Sequence, residues 1–257
     1  MTVAADRDHW FRRYEPASPG AVQLLCLPHA GGSAPQFLSL ARRLAPAVDV
    51  ICVQYPGRQD RRRETPIDDV RTLADRLCDL LAPTPERRLV IMGHSMGAIV
   101  GFELGLLVER RAPGALLGLI ASGRRAPVIH RDENVHLRGD DEIIAEIRAL
   151  SGTDPSVLAD DELLRAALPA LRADYRAAET YRYREGDRLH APIGVLVGDS
   201  DPRVSAEDAR AWERLTHAGF SMRTFPGGHF YLNAQQAAVA SAVADRLAAF
   251  QDPRRVA

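Results

Sequence analysis

One serine stands in a pattern that can make it a nucleophile. Residues 93–97, Gly-His-Ser-Met-Gly, match G-x-S-x-G, follow an apolar run at 88–92 and open a helical pattern. Only glycine can pass so close to its neighbours in a sharp strand-to-helix turn. The turn lifts the Ser95 hydroxyl above the C-terminal edge of a sheet, at a helix N-terminus that favours developing negative charge. We predict Ser95 as a nucleophile; the alternative is a structural turn with an incidental serine.

A serine hydroxyl is a weak nucleophile near neutral pH, so a histidine must accept its proton. After this kind of turn, an acid and then a histidine follow the serine along the chain. Of the eight histidines, His229 follows the last predicted strand on a Pro-Gly-Gly loop, and we predict it as the general base. His217 ends an amphipathic helix, where a structural role is expected. His94 adjoins the serine, but adjacent side chains diverge on a tight turn, so packing or a supporting hydrogen bond is expected.

The acid that orients the histidine is expected after a strand. The strand at 115–121 continues into Ser122-Gly123-Arg124 without a carboxylate, whereas the strand at 193–197 is followed by Asp199 and Asp201. Asp201 lies beyond the strand and precedes a proline that stiffens the turn, so we predict Asp201 as the orienting acid. Asp199 is the alternative; its expected role is in the turn, bonding nearby backbone amides.

An oxyanion hole needs the backbone amide after the nucleophile and a second amide from a loop after an early strand. Met96 supplies the first. The glycine-rich loop at 28–33 directly follows the predicted strand at 22–27, and we predict Ala30 as the source of the second amide. The alternative is a phosphate-binding loop, which is disfavoured because the loop is not G-x-G-x-x-G and no ribose-binding acid follows about 20 residues on.

The composition excludes several other chemistries. All 33 basic residues are arginine, which excludes a Schiff-base lysine, a pyridoxal-phosphate enzyme and a P-loop. The 34 acidic residues nearly balance them, so no overall positive field is available to hold nucleic acid or an anionic membrane. The three cysteines are too few and too far apart for a disulfide scaffold or a zinc cluster. We therefore predict catalysis without a metal or a cofactor.

The 257 residues suffice for one large core with an insertion. The N-terminal 16 residues carry acids and arginines where a signal peptide would be apolar, and no apolar run approaches the roughly 20 residues of a membrane span. A soluble, cytoplasmic protein is predicted.

The elements that must position these residues alternate along the chain. Short apolar runs alternate with amphipathic ones, which indicates an α/β fold with a mostly parallel sheet covered by helices on both faces. The predicted strands are 22–27, 48–53, 88–92, 115–121, 193–197 and 221–225. The predicted helices between them are 34–45, 68–82, 96–110, 205–218 and 234–249.

The alternation stops near Arg124 and resumes near Pro192, and the intervening segment carries amphipathic helices at 140–152 and 159–183. We predict a single domain, 1–257, with a helical lid at 124–190 inserted within it. The apolar face of the insertion can pack on the body or line a pocket; its residues are Ile143, Ile144, Ile147, Leu150, Leu163, Leu164 and Leu168.

Several longer motifs give the sequence a family resemblance. They are LPHAGGSA at 27–34, YPGR at 55–58, GHSMGA at 93–98, SGRRAP at 122–127, GDSDPRV at 198–204 and GGHFYL at 227–232. With these motifs, residues 24–250 resemble the discrete, type II thioesterases of polyketide and nonribosomal peptide assembly lines, within the α/β-hydrolase superfamily. The resemblance implies Ser95, Asp201 and His229 as a catalytic triad.

The resemblance also implies a substrate and partners. Such thioesterases hydrolyse acyl groups from the phosphopantetheine arm of acyl or peptidyl carrier proteins, removing aberrant or stalled chains. No cofactor, nucleic acid or membrane is implied, and a monomer is expected by default. The basic run Arg58, Arg61, Arg62 and Arg63 can meet an acidic carrier protein or form an ordinary solvated loop.

Two other functions remain open at this level. One is a chain-releasing or small-ester serine hydrolase without carrier specificity. The other is a catalytically silent hydrolase fold that acts as a binding module, which the complete set of Ser95, His229 and Asp201 disfavours.

Overall fold

The computed structural model describes residues 3–150 and 161–252. Its centre is a seven-stranded sheet. The strands are β1 (Phe11–Arg12), β2 (Val22–Leu27), β3 (Val48–Val53), β4 (Leu89–His94), β5 (Leu116–Ser122), β6 (Ile193–Gly198) and β7 (Phe220–Phe225). Their order across the sheet is β1-β3-β2-β4-β5-β6-β7. The pair β1/β3 is antiparallel and every other neighbouring pair is parallel.

Helices connect the strands and cover both faces of the sheet. They are α1 (Val3–Trp10), α2 (Leu38–Leu44), α3 (Val70–Leu81), α4 (Met96–Arg111), α5 (Asp140–Leu150), α6 (Asp161–Thr180), α7 (Ala206–Arg210), α8 (Tyr231–Ala234) and α9 (Gln236–Gln251). The core on one face contains α3 and α4, and the core on the other contains α2 and α9. The strands are apolar on both faces because both faces are covered.

The strand order reverses between β2 and β4. The chain runs outward from β2 to β3 on one side and from β4 to β5, β6 and β7 on the other. In an open parallel sheet, a crevice for ligands forms at the carboxyl ends of the strands where the order reverses. The loop after β2 carries Ala30 and the turn after β4 carries Ser95, so both lie at this crevice.

The segment between β5 and β6 leaves the sheet and forms α5 and α6. These helices and the short 3₁₀ helix Val135–Leu137 share a small apolar core of their own, made of Val135, Ile143, Ile144, Ile147, Leu164, Leu168 and Leu171. The C-terminal part of α6 instead joins the main core through Ala177 and Ala178. The inserted helices therefore have one end built into the body and one end packed against each other.

The predicted α/β class with a mostly parallel sheet and helices on both faces is confirmed. Strand β1 was not predicted, because two residues are too short for a periodic pattern. The helix predicted at 205–218 is α7 followed by the 3₁₀ helix Ala211–Leu215. Of the helix predicted at 159–183, residues 161–180 form α6; residues 151–160 and the side chain of Leu163 lie outside the described part. None of the described helices is long and apolar enough to cross a membrane.

Candidate active site

Ser95 occupies the sharp turn between β4 and α4, with φ 54° and ψ −116°. A positive φ is uncommon for a residue with a side chain, and such strain is typical of functional sites. Both flanking positions need glycine. A Cβ at Gly93 would lie 2.0 Å from the carbonyl oxygen of Gly97, and a Cβ at Gly97 would lie 2.2 Å from that of Leu27. The close approach of three backbone segments therefore fixes the position of Ser95.

Asp201 and His229 form a buried hydrogen-bonded pair. Asp201 lies in the loop after β6 and His229 in the loop after β7, and Nδ1 of His229 is 2.8 Å from Oδ2 of Asp201. The second carboxylate oxygen of Asp201 accepts a hydrogen bond from the N–H of Arg203 at 2.8 Å, which fixes its orientation. When Nδ1–H donates to Asp201, Nε2 of His229 is left to accept a proton. His229 lines the same cleft as Ser95.

The structure separates the alternative acid and base from this pair. Asp199 is exposed, and its Oδ1 accepts hydrogen bonds from the N–H of Gly227 at 3.0 Å and the hydroxyl of Ser200 at 2.8 Å. These bonds lower the pKa of Asp199 and hold the loop that carries His229. His217 is also exposed and pairs its N–H with the carbonyl oxygen of Leu189, at the amino edge of the sheet opposite Ser95.

The buried side chain of His94 lies beside His229. Its Nδ1 lies 2.9 Å from the hydroxyl of Ser122, which lies 2.6 Å from the hydroxyl of Tyr231. Its ring centre is 5.1 Å from that of His229. Burial lowers the pKa of His94 well below the ordinary histidine value, so His94 stays neutral and does not repel a protonated His229. The hydrogen bond agrees with the supporting role expected from the sequence, but Ser122 and Tyr231 were not predicted.

The predicted oxyanion amides of Met96 and Ala30 both line the cleft. Within residues 3–150 and 161–252, neither N–H donates a hydrogen bond. The two amides that follow Ala30 are occupied: the N–H of Gly31 donates to Asp174 at 2.7 Å, and that of Gly32 to the carbonyl oxygen of His29 at 2.9 Å. Ala30 therefore offers an available donor in a loop whose next two amides are already bonded.

A buried ion pair anchors this loop. Asp174 extends from α6, and its side chain is 1% exposed. The same Asp174 oxygen that accepts from Gly31 also pairs with the guanidinium of Arg58, which donates further hydrogen bonds to the carbonyl oxygens of Gly32 at 3.1 Å and Pro56 at 2.6 Å. One carboxylate of the inserted helix α6 thus bonds the loop at 28–33, which carries Ala30.

The sequence left two interpretations of the arginine run at 58–63, a partner-binding surface or a solvated loop, and the structure shows that neither applies to all four side chains. Arg58 is buried in the pair with Asp174, and Arg61 is buried between Glu64 and the ring of Trp10. Only Arg62 and Arg63 of the four are exposed. A sequence run of like charge does not show which side chains turn inward to bond carbonyl and carboxylate oxygens.

Two adjoining chambers lie between the loop after β2 and the inserted helices. The polar chamber, named for the charged side chains in its lining, measures about 560 Å³ when the space open to solvent is included. It is lined by Ser95 and His229, by apolar residues such as Met96 and Val204, and by five charged residues: Arg124, Arg125, Glu133, Glu179 and Arg203. The apolar chamber adjoins it and measures about 550 Å³ when the space open to solvent is included. Its apolar lining is Ile147, Leu150, Leu164, Ala167, Leu171 and Phe230. The residues His29, Ala30, Leu150, Tyr175 and Phe230 line both chambers. Some predicted apolar residues of the insertion therefore line a pocket, while Ile143, Ile144 and Leu168 pack against each other.

Most charges in the polar chamber are paired. The two terminal guanidinium nitrogens of Arg125 donate to Glu133, at 3.1 and 2.8 Å, and Arg203 donates to Glu133 at 2.9 Å. Burial would raise the pKa of Glu133, but the hydrogen bond and charge of Arg125, with the charge of Arg203, outweigh burial and lower it to about 2. Glu133 is therefore a carboxylate that joins the loop after β5 to the loop after β6.

A serine on a strained strand-to-helix turn, a histidine held by an aspartate and a mostly parallel sheet together define a serine hydrolase of the α/β-hydrolase fold. No group of three or more His, Cys, Asp or Glu in the described ranges is arranged to hold a metal ion. The family model described as a thioesterase domain matches residues 22–247, and the chain belongs to this family of thioester hydrolases.

Individual relatives agree with this assignment. The chain is 46% identical over 243 residues to "Thioesterase PikA5" of Streptomyces venezuelae, across 94% of this chain and 86% of that protein. It is 48% identical over 248 residues to a "Probable cadicidin biosynthesis thioesterase" of Streptomyces griseus, across 96% of this chain and 68% of that one. The solved "type II thioesterase BorB from the borrelidin biosynthetic cluster" superimposes with a TM-score of 0.87 and 49% identity, across 93% and 98% of the two chains. The predicted resemblance to type II thioesterases is confirmed.

Proposed function

We propose that this thioesterase releases acyl groups from the phosphopantetheine arm of acyl or peptidyl carrier proteins, and so removes aberrant or stalled chains. The observation that carries the proposal is the His229–Asp201 pair in one cleft with Ser95, in a chain similar to two proteins named as thioesterases, one of them for cadicidin biosynthesis. Such a site needs no metal or cofactor for hydrolysis.

In the first half of the proposed reaction, Nε2 of His229 takes the proton of the Ser95 hydroxyl while the serine oxygen attacks the thioester carbonyl carbon. The carbonyl oxygen becomes an oxyanion, which accepts hydrogen bonds from the N–H groups of Met96 and Ala30. The carbon–sulfur bond then breaks, and the thiol leaves with the proton from His229. The product is an ester between the acyl group and Ser95.

In the second half, His229 accepts a proton from water while the water oxygen attacks the acyl carbon of that ester. The oxyanion forms again in the same place, and the carbon–oxygen bond to Ser95 breaks as His229 returns the proton to the serine. Asp201 stays ionised throughout and holds the imidazole in orientation. The free acid leaves and the enzyme returns to its starting state.

The two chambers suggest how the substrate lies. A thioester at Ser95 joins an apolar acyl chain to a polar arm with two amides and a hydroxyl. We assign the acyl chain to the apolar chamber, because no charged side chain of the described residues lines it, and the arm to the polar chamber, because charged side chains there can form hydrogen bonds with its amides. In this assignment the helical segment 124–190 acts as a lid over the nucleophile. A monomer in the cytoplasm stays a prediction from the sequence.

The test compares one acyl group on two carriers of the thiol. The quantities measured are kcat/KM for propionyl-carrier protein and for the propionyl thioester of N-acetylcysteamine, with Ser95→Ala as the inactive control. We expect the protein-bound substrate to be hydrolysed faster, since the carrier and the full arm add contacts. Equal or lower values for the carrier-bound form would contradict the proposal and favour a small-ester hydrolase without carrier specificity.

A further inference from the structure

Arg124 lies at the nucleophile but takes no part in the steps above. It follows β5 at the carboxyl edge of the sheet, two residues after Ser122, which pairs with His94 in the neighbouring strand β4. Its carbonyl oxygen accepts a hydrogen bond from Nε1 of Trp212 at 2.8 Å, and Trp212 is completely buried. The backbone of Arg124 is therefore fixed one strand away from Ser95.

The guanidinium of Arg124 differs from the other two in the polar chamber. Arg125 and Arg203 are both paired with Glu133, whereas Arg124 forms no side-chain hydrogen bond or ion pair with any residue in 3–150 or 161–252. Its Nε is buried and has no hydrogen-bond partner. A buried donor without an acceptor is costly, so the chamber offers a place where a ligand oxygen would relieve that cost.

The carboxylates near Arg124 do not supply the missing hydrogen-bond acceptor. Both Glu133 oxygens are bonded to arginines, and the Glu179 oxygens accept from the N–H groups of Val135 and His136, at 2.9 and 3.1 Å. Burial, and then the charge of Arg125, lower the pKa of Arg124 to about 10, so the group remains a cation at neutral pH. A cationic guanidinium donates hydrogen bonds and accepts none, so its ligand must present an oxygen acceptor.

The arm of the proposed substrate presents such an oxygen at the right place. Two methylene groups separate the thioester sulfur from the first amide of a pantetheine arm, so the carbonyl oxygen of that amide stays close to Ser95. The phosphate, at the far end of the arm, cannot lie beside the nucleophile at the same time. Every pantetheine thioester carries this amide, whatever its acyl group.

Building on the proposed function, we propose that Arg124 is a substrate-binding residue that donates a hydrogen bond to the first amide carbonyl of the pantetheine arm. The contact recognises the common part of all carrier-bound substrates and leaves the acyl group free to vary. It explains why a charged donor is left unpaired in a chamber whose other arginines are matched with carboxylates.

The test uses two small propionyl thioesters that differ in the amide alone: the thioester of N-acetylcysteamine, and S-pentyl thiopropionate, which has the same length without an amide. Wild type should prefer the first. Arg124→Met should lower kcat/KM for the amide substrate about tenfold or more relative to the amide-free one, since a hydrogen bond from a charged donor is lost. Arg124→Lys should retain part of the preference, and Arg63→Met, an exposed arginine, should retain all of it.

Three other results of these measurements would contradict the proposed role of Arg124. An equal loss on both thioesters, or an unchanged preference in Arg124→Met, would overturn the inference. A selective loss on methylmalonyl thioesters, with the amide preference intact, would also overturn it and assign Arg124 to an acyl carboxylate. Labelling of Ser95 by a fluorophosphonate, which has no amide arm, reports that the variant is folded. The proposed function fails separately, through the comparison of carrier-bound with small substrates.

Discussion

Asp199 and Asp201 follow the same strand, but their carboxylates have different surroundings. The side chain of Asp201 is completely buried and is hydrogen-bonded to His229. Asp199 is exposed, and its carboxylate is bonded to the loop that carries His229. A carboxylate that orients a catalytic imidazole must be held rigidly against it, and only Asp201 meets that condition. The choice between the two acids is therefore a difference of contact, which a single-residue exchange can measure.

We expect Asp201→Asn to lower kcat by several orders of magnitude, on the order of 10⁴ as in serine proteases, because the amide favours the wrong imidazole tautomer. The measurement is kcat on a propionyl thioester, with thermal unfolding to confirm the fold. Asp199→Asn is the matched control: it keeps a turn oxygen for Gly227 and should change kcat less than tenfold. A larger loss in Asp199→Asn than in Asp201→Asn would reassign the acid.

At the scale of elements, α6 both lines the cleft and holds the loop after β2 that carries Ala30. A Cβ at Gly31 would lie 2.4 Å from a side-chain carbon of Leu171 in α6, and Gly31 also has a positive φ of 77°. The next turn of the helix supplies Asp174, which holds the N–H of Gly31 and the guanidinium of Arg58. The loop therefore packs directly against the helix and is bonded to it, so the Ala30 amide depends on where α6 lies.

We expect Asp174→Asn to lower kcat about tenfold with a smaller change in KM. Losing one oxyanion donor outright costs about 10²–10³ in kcat, and the neutral side chain loosens the loop without removing the Ala30 amide. The matched control is Arg176→Gln on the same helix. It breaks an exposed ion pair between Arg176 and Asp68 and should leave kcat nearly unchanged. If Asp174→Asn reduced the melting temperature alone, with kcat intact in the folded enzyme, Asp174 would be structural only.

Much of this framework was predictable from local patterns, and long-range pairing was not. Strands β2 and β3 begin and end at the predicted residues, because strands that are mostly buried appear in the sequence as short, mainly apolar runs. Ser95, His229 and Asp201 could be chosen because each follows a predicted strand. The Arg58–Asp174 pair joins residues 116 positions apart, and no pattern within either segment signals the other. For the same reason, Arg58 and Arg61 looked like part of an exposed basic loop.

At the scale of the molecule, we expect the free energy of unfolding at low pH to depend on Glu133, which joins the loops after β5 and β6. The folded-state pKa of Glu133, about 2, lies below the ordinary glutamate value of about 4.3, so the folded protein binds fewer protons than the unfolded chain as pH falls. The stabilisation is fully present above pH 5 and is lost as pH decreases toward 2.

We therefore expect Glu133→Gln to have a lower free energy of unfolding than wild type at pH 7. The difference between the two free energies, measured by urea unfolding, should decrease between pH 5 and pH 3. Glu213→Gln, at an exposed glutamate, should follow the wild-type pH dependence. If the difference in free energy of unfolding stayed constant with pH, Glu133 would stabilise the protein through packing and not through its charge.

The two chambers of the cleft differ in whether charged side chains line them, and this difference limits how acyl groups are distinguished. The polar chamber has charged side chains in its lining and, among the described residues, the apolar chamber has none, and both chambers extend from the same loop residues His29 and Ala30. Packing against aliphatic walls separates acyl groups by only about 1–3 kcal/mol for each methylene-sized difference. We therefore expect the enzyme to accept many short acyl groups with graded rates rather than to select one.

Ala167 and Ala166 are adjacent on α6 and allow that difference between the chambers to be tested. Ala167 lines the apolar chamber, whereas Ala166 is exposed. A leucine at 167 fills space that a longer acyl chain would occupy, so Ala167→Leu should lower kcat/KM for butyryl relative to acetyl thioesters by about tenfold, while Ala166→Leu leaves that ratio unchanged. Measuring both acyl groups on one carrier protein keeps the contacts of the arm constant. If Ala167→Leu lowered both rates equally, the acyl chain would lie outside this chamber and the assignment of the two chambers would be wrong.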